Sequence, residues 1–319
     1  MATQSTLSKV DWTDDSYPGK KFRTGFENLK RHFEQAVEQD PDHAPHHVGL
    51  ANARIMLWCF GFVPHSDAMV AAESDVATAI ELDNRYAPAH TAAGVVRLGK
   101  WDWSGAEKHF ERAIEIDPQN AESRHWHALY LSALGRHDQA RAESLKALEL
   151  DPSSGYQTGF GAILYFARDF ERMCARMEST IADAPDFAPG YDWLGMAYVQ
   201  EGRYTESIAV YEKAVKLSGN LAEIKAGLGH AYAVAGNDAE ARAISRELAS
   251  LSQRWHVPPV QRAFVHVGLG ENDLALGLLE QAFRERSWEL VFLQVEPWLD
   301  DLRGEAQFDD LARRIGFPE

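Results

Sequence analysis

The sequence contains only two cysteines in 319 residues, Cys59 and Cys174. They lie far apart and form no CxxC pair. A disulfide framework and a thiolate metal site are therefore not expected, and the two thiols fit a reducing cytosol as small buried hydrophobes. Long apolar runs are also missing. None approaches the roughly 20 residues that span a bilayer, so no membrane partner is expected, and the N-terminal MATQSTLSKVDWTDDSYPGKK lacks the apolar region of a secretory signal. Positive charge is scarce: 32 Lys and Arg against 48 Asp and Glu give a formal charge of −16. Arg136, Arg141, Arg242 and Arg246 sit singly among acids and form no basic stripe, so nucleic acid is not expected as a partner. There is no HExxH, GxSxG, Walker or GxGxxG motif. No catalytic residue and no cofactor is assigned, and a non-enzymatic role is favoured. Alternating Val/Ile/Thr runs are absent too, which argues against any sheet.

What the chain has is a recurring helix ending. AVEQDP at 36–41, AIELDN at 79–84, AIEIDP at 113–118 and ALELDP at 147–152 fade into TIADAP at 180–185 and AVKLSG at 214–219. From Asn84 onward these endings are spaced 34, 34, 33 and 34 residues apart, the signature of an array of helical repeats. Residues 1–20 read as a loose arm, residues 21–286 as the array, and residues 287–319 as capping segments. The first amphipathic helix spans Thr24 to Gln39. Helix pairs follow, broken at Gly135, Gly202, Gly236 and Gly270, and at Lys100-Trp101 in one unit. These are positions where a helix C-terminus favours a left-handed residue.

Small residues recur at fixed places within the unit. Gly94, Ala128, Ala162, Gly195 and Gly229 hold the eighth position, Ala106, Ala140, Ser207 and Ala241 the twentieth, and Ala113, Ala147 and Ala214 the twenty-seventh. Small side chains let paired helices approach closely. Together with the Gly at position 15 and the Pro at position 32, the pattern resembles the tetratricopeptide repeat. GLANA at 49–53, WDWSGAEKHF at 101–110, HWHALYLSALGRHDQA at 125–140 and FDDLARRIGF at 308–317 are similar to the repeat region of bacterial regulators. In that family the region follows a nucleotide cyclase, a winged-helix domain or a kinase. No such domain is legible ahead of residue 22, so only an interaction role is carried over.

The resemblance implies an all-α, right-handed superhelical solenoid of antiparallel helix pairs, about seven repeats plus terminal capping helices. The first helix of each pair would line the concave face. A cytoplasmic scaffold binding a protein or peptide in that groove is the expected function, with His125, Tyr156, Phe166, Asp192, Met196 and His230 as its contacts. Repeat domains that clamp terminal carboxylates place Lys, Arg and Asn at such positions, and only Asn52 matches here. An apolar or weakly basic partner therefore suits the groove better. The alternative is a small-molecule-binding or catalytic solenoid built on His125, Asp192, His230 and Glu122, which would need these groups to converge on one closed pocket.

Three features lie outside the pattern. The unit from Pro41 to Asn84 has 43 residues, nine more than the period, and the excess is placed at the turn near residues 59–66. This apolar turn is compatible with a binding lip, with a cover over the neighbouring pair, or with self-association to a homo-oligomer. The cover is favoured, because exposed apolar patches are uncommon. His43 and His47 are spaced i, i+4 but have no matching third ligand, so no metal is expected. Trp288, Leu290, Phe292, Leu293, Trp298 and Leu302 are read as covering the open face of the last pair.

Overall fold

The structure is a computed structural model that describes residues 19–318, and the arm expected ahead of residue 19 lies outside them. Sixteen α-helices account for the regular structure together with two 3₁₀ turns, and no strand occurs among the described residues. A leading helix α1 (Lys20–Gln39) begins four residues before the expected start. Seven antiparallel pairs follow: α2 (Ala44–Cys59) with α3 (His65–Leu82), α4 (Ala87–Gly99) with α5 (Trp103–Ile116), α6 (Ala121–Ala133) with α7 (His137–Leu150), α8 (Ser154–Phe166) with α9 (Phe170–Asp183), α10 (Ala188–Gln200) with α11 (Tyr204–Ser218), α12 (Ala222–Val234) with α13 (Asp238–Leu251), and α14 (Pro259–Gly268) with α15 (Asn272–Glu285). Then come the 3₁₀ turns Trp288–Phe292 and Pro297–Leu302, and a last helix α16 (Ala306–Ile315). The array is a right-handed superhelical solenoid.

The turns explain the period. Within pairs, Gly135, Gly202, Gly236 and Gly270 have φ between 69° and 80°, and Trp101 and Arg168 take the same left-handed place at 59° and 60°. Between pairs, a side chain at the fourth position of the first helix reaches back six residues. His47 Nε2, His90 Nε2, Arg124 Nε and Tyr191 Oη donate to the carbonyls of Pro41, Asn84, Pro118 and Pro185 at 2.7–3.0 Å. Each bond satisfies a carbonyl that the four-residue turn would leave unpaired. The nine extra residues of the first pair are not one insertion. Relative to α4 and α5, α2 is three residues longer, α3 four and the intervening turn two.

That turn covers its neighbours. Phe62 and Val63 are buried, and Phe60 and Phe62 pack on Phe26 of α1. Much of the apolar stretch Trp58–Pro64 is thus packed within the chain. Gly61, at φ 66°, lies so close to Pro258 that an added Cβ would meet its ring at 2.6 Å. The solenoid therefore closes on itself. Gly19 N donates to the Gly219 carbonyl at 2.8 Å, tying the start of α1 to the α11–α12 turn. Trp101 stacks on Phe283 of α15 at 5.0 Å, and Trp103 meets Phe317 at 4.7 Å. Cys174 is buried and Cys59 half-buried, both as free thiols.

Gly195 shows how tightly the pairs fit. A Cβ there would lie 2.5 Å from the ring of Tyr211, which is fully buried. Overpacking a filled core costs about 1–3 kcal/mol. Gly195→Ala should lower stability by that amount in urea titration, and Gly195→Trp by more. An unchanged midpoint in both variants would reject this packing register.

Candidate functional site

The C-terminal segment does not stop at the last pair. Residues 286–302, here called the strap, run back along the concave face. Trp58 Nε1 of α2 donates to the Arg286 carbonyl at 3.1 Å. Trp288 stands edge-on to Trp58 and to Trp126 of α6 at 5.5 and 5.9 Å. Phe292 stacks on Phe166 of α8 at 4.5 Å with the rings 9° apart. Trp298 stacks on His230 of α12 at 4.1 Å and meets Phe264 of α14 edge-on. At the α8–α9 turn Arg168 clamps Asp300 with two bonds of 2.6 and 2.7 Å. Aromatic pairs in these offset and edge geometries add about 0.5–1.5 kcal/mol each beyond burial.

Two of the six expected groove contacts are therefore withdrawn from any partner. Phe166 lies under Phe292. His230 lies under Trp298 at 3% exposure, and its Nδ1 donates to the Phe264 carbonyl at 2.7 Å. Burial holds the His230 imidazole down to about 4, against the opposing pull of that bond, and keeps it neutral. Met196 is half-buried against the core. The covered positions lie in the C-terminal halves of α8 and α12.

The N-terminal halves remain reached by solvent. Glu122 and His125 of α6, Tyr156 of α8, Asp192 of α10 and Glu223 of α12 are all half-buried. His125 faces Tyr156 edge-on at 5.3 Å and lies against Gly159, where no Cβ would fit. Burial pushes His125 down to about 4. Glu122 accepts a bond from Asn52 Nδ2 at 3.2 Å across the ring. Asp192 and Glu223 repel each other, and burial, the larger cause, raises both carboxyls; Glu223 reaches about 7 and Asp192 rises well above the usual range. The strap adds Glu289, which burial and the neighbouring Glu223 push up to about 8. Among the described residues no Lys or Arg lies within ion-pairing distance of Asp192, Glu223 or Glu289. Asp192 and Glu289 thus each feel the charge of Glu223, while Glu122, His125 and Tyr156 form a second group.

Glu289 was missed in the sequence because it sits in a stretch read only as a cap. An acid inside the apolar WELVFL was the available signal. Two surface clefts lie elsewhere. One of about 490 Å³ separates α15 from α16 beside Glu280, Arg284, Asp310 and Arg314. One of about 210 Å³ lies at the seam near Val63, Asp67 and His256. Neither includes any of the six expected contacts.

Repeat geometry, turn chemistry and a ring of first helices around a concave recess define a tetratricopeptide-repeat solenoid. Residues 195–236 match the model of the TPR repeat and residues 109–142 that of the tetratricopeptide repeat. Superkiller protein 3 of Schizosaccharomyces pombe is 22% identical over 145 residues, covering 43% of this chain and 10% of its own length. The chain thus spans about a tenth of that curated relative. Among solved structures, an IFIT1 monomeric mutant with m7Gppp-AAAA superposes with a TM-score of 0.64 at 16% identity, covering 92% of this chain and 67% of that one. The Cut9–Hcn1 hetero-tetramer of the APC/C gives 0.62 at 17% identity, covering 91% and 52%. Yeast Tom70 gives 0.54 at 16%, covering 92% and 62%. These likenesses show the fold. No helix among the described residues is long and apolar enough to cross a membrane.

Glu296 fixes the strap and should give it a pH signature. It is 6% exposed and accepts from Tyr165 Oη at 2.6 Å and from Trp298 N at 3.0 Å. Burial outweighs both bonds and pushes its carboxyl up to about 7, from an ordinary 4.5. A folded state that holds this proton more tightly loses stability as pH rises from the ordinary value through about 7. Glu296→Gln stays neutral and keeps a carbonyl acceptor. It should be more stable than wild type by about 1–3 kcal/mol at pH 8 and equal near pH 4.5. Equal offsets at both pH values in urea titration would refute the assignment.

Proposed function

We propose that this chain is a non-enzymatic tetratricopeptide scaffold that binds a basic or apolar-basic protein segment in the open half of its concave face. The carrying observation is the group of Asp192, Glu223 and Glu289, half-buried and, among the described residues, without a Lys or Arg in ion-pairing distance. Carboxylates held this way are raised by their own burial, and a lysine or arginine side chain entering beside them restores the charged form. Tyr156 and Met196 supply apolar contact for its stem. Hot spots of this kind, few and central, carry most of the affinity of a peptide groove. Solved structures of the same fold support the role, since one is the Cut9–Hcn1 assembly. IFIT1 was solved with a capped RNA, but a recess of acids in a chain of charge −16 opposes a polyanion. The likeness of 101–110 and 125–140 to bacterial regulators supports a setting in cytosolic signalling.

A second reading shares the chemistry. The strap borders one side of the groove, and this reading needs His125, Glu122 and Asp192 to share one recess beside it. A small organic cation would fit it.

Both readings are tested by fluorescence polarisation against labelled peptides of matched length that are lysine-rich, neutral or glutamate-rich, with free spermidine as competitor. The basic peptide should bind, and binding should tighten as pH rises from 5 to 8, because the cation selects ionised carboxylates. Asp192→Asn/Glu223→Gln should weaken it at least about tenfold, or about 1.4 kcal/mol, with the melting temperature unchanged or raised. Equal binding of all three peptides, or an unaffected double variant, would sink the peptide reading. Saturable spermidine binding with no peptide binding would select the small cation.

A further inference from the structure

Outside the concave face, one cluster of side chains is arranged for chemistry that nothing in the recess uses. It sits at the turn between α1 and α2. Asp40 follows the last residue of α1, His43 precedes α2, and His46 lies in the first turn of α2. A carboxylate oxygen of Asp40 and one ring nitrogen from each histidine all lie within 4.8 Å of one another. The imidazoles face each other at 4.2 Å with 66° between their planes. Asp40 and His43 are exposed and His46 is half-buried.

The i, i+4 pair suggested by the sequence is not what forms. His47 is turned inward at 7% exposure, and its Nε2 donates to the Pro41 carbonyl at 2.7 Å. That bond instead stiffens the turn carrying the other three groups. Asp40 N donates to the Ala36 carbonyl at 2.9 Å and His46 N to the His43 carbonyl at 3.0 Å, which fix the turn at both ends. Pro45, in the first turn of α2, fixes φ between the two imidazoles. By contrast, the side chains of His43 and His46 are barely committed. The one polar contact between the ring of His46 and the turn is a long 3.4 Å approach to the Asp40 carbonyl.

We infer that Asp40, His43 and His46 form a surface site for a divalent transition-metal ion of the zinc class. Two imidazoles and one carboxylate are the donors such ions take, whereas magnesium and calcium require oxygen-only shells. Bonds of about 2.0–2.2 Å place tetrahedral donors roughly 3.4 Å apart, so closure needs only small side-chain rotations on a fixed turn. Three protein ligands leave the fourth position to water or to a ligand from a partner. The site lies at the outer edge of the first pair, away from the acidic recess, and does not depend on the peptide reading.

The test uses the full chain without a histidine tag. Isothermal titration with Zn²⁺ should show one saturable equivalent, and Co²⁺ should develop a visible d–d band that Zn²⁺ bleaches. His43→Ala, His46→Ala and Asp40→Asn should each weaken Zn²⁺ about tenfold or more, while His32→Ala, on α1, leaves it unchanged. A hundredfold excess of Mg²⁺ should not compete. Absence of saturable binding, or wild-type affinity in a His43→Ala/His46→Ala variant with an unchanged circular dichroism spectrum, would overturn the site. Displacement by Mg²⁺ would overturn its assignment to the zinc class.

Discussion

The stacking of strap aromatics on the inner wall is the interaction on which the rest of this molecule depends. A tetratricopeptide array buries the flanks of each pair against its neighbours but leaves its concave surface open. Here Trp288, Phe292 and Trp298 lie on that surface, contacting helices from the first pair to the last. The main apolar cluster draws on residues from Ala51 to Ile315, with two smaller clusters beside it. Long-range contacts of this kind replace the nearest-neighbour stability of an open array with a more global one. The polar end of the strap obeys the same logic, with Glu296 buried between Tyr165 and the Trp298 amide and Asp300 clamped by Arg168.

The strap also decides what the concave face can do. By occupying the C-terminal halves of α8 and α12 it takes Phe166 and His230 out of play. It leaves the N-terminal halves, where Glu122, His125 and Tyr156 form one group and Asp192 and Glu223 another, and it contributes Glu289 to the second. Acidic groups are thereby gathered where, among the described residues, no Lys or Arg pairs with them. The exterior is different: some of its acids stand in exposed pairs, such as Arg136 with Glu107 and Arg203 with Glu206, which contribute little to stability.

The repeat was legible because it is local. A left-handed residue must end each first helix, and a small residue must face each inter-helix aromatic, so Gly135, Gly195 and Trp101 could be placed from spacing alone. The back-bonds from His47, His90, Arg124 and Tyr191 were harder to see, since four different side chains do the same job and only geometry unites them. The inward register of His125, Tyr156 and Asp192 followed from the repeat. The fate of Phe166 and His230 did not, because it rests on contacts with residues about 70 to 130 positions away in sequence, and no periodicity encodes those. Glu289 escaped for the same reason: its neighbours Glu223 and Gln261 are close only once the strap is laid down.

Closure has a consequence for how such a chain can vary. Open solenoids lengthen or shorten by whole units, because each unit needs only the one beside it. In this chain the Gly61–Pro258 contact, the Gly19–Gly219 bond and the Trp101–Phe283 stack join elements from opposite ends of the array. Deleting or duplicating a pair between Trp101 and Gly219 would disturb all three at once. The number of units is thus fixed by circumference, and the sequence is free to drift within repeats but not to gain or lose one.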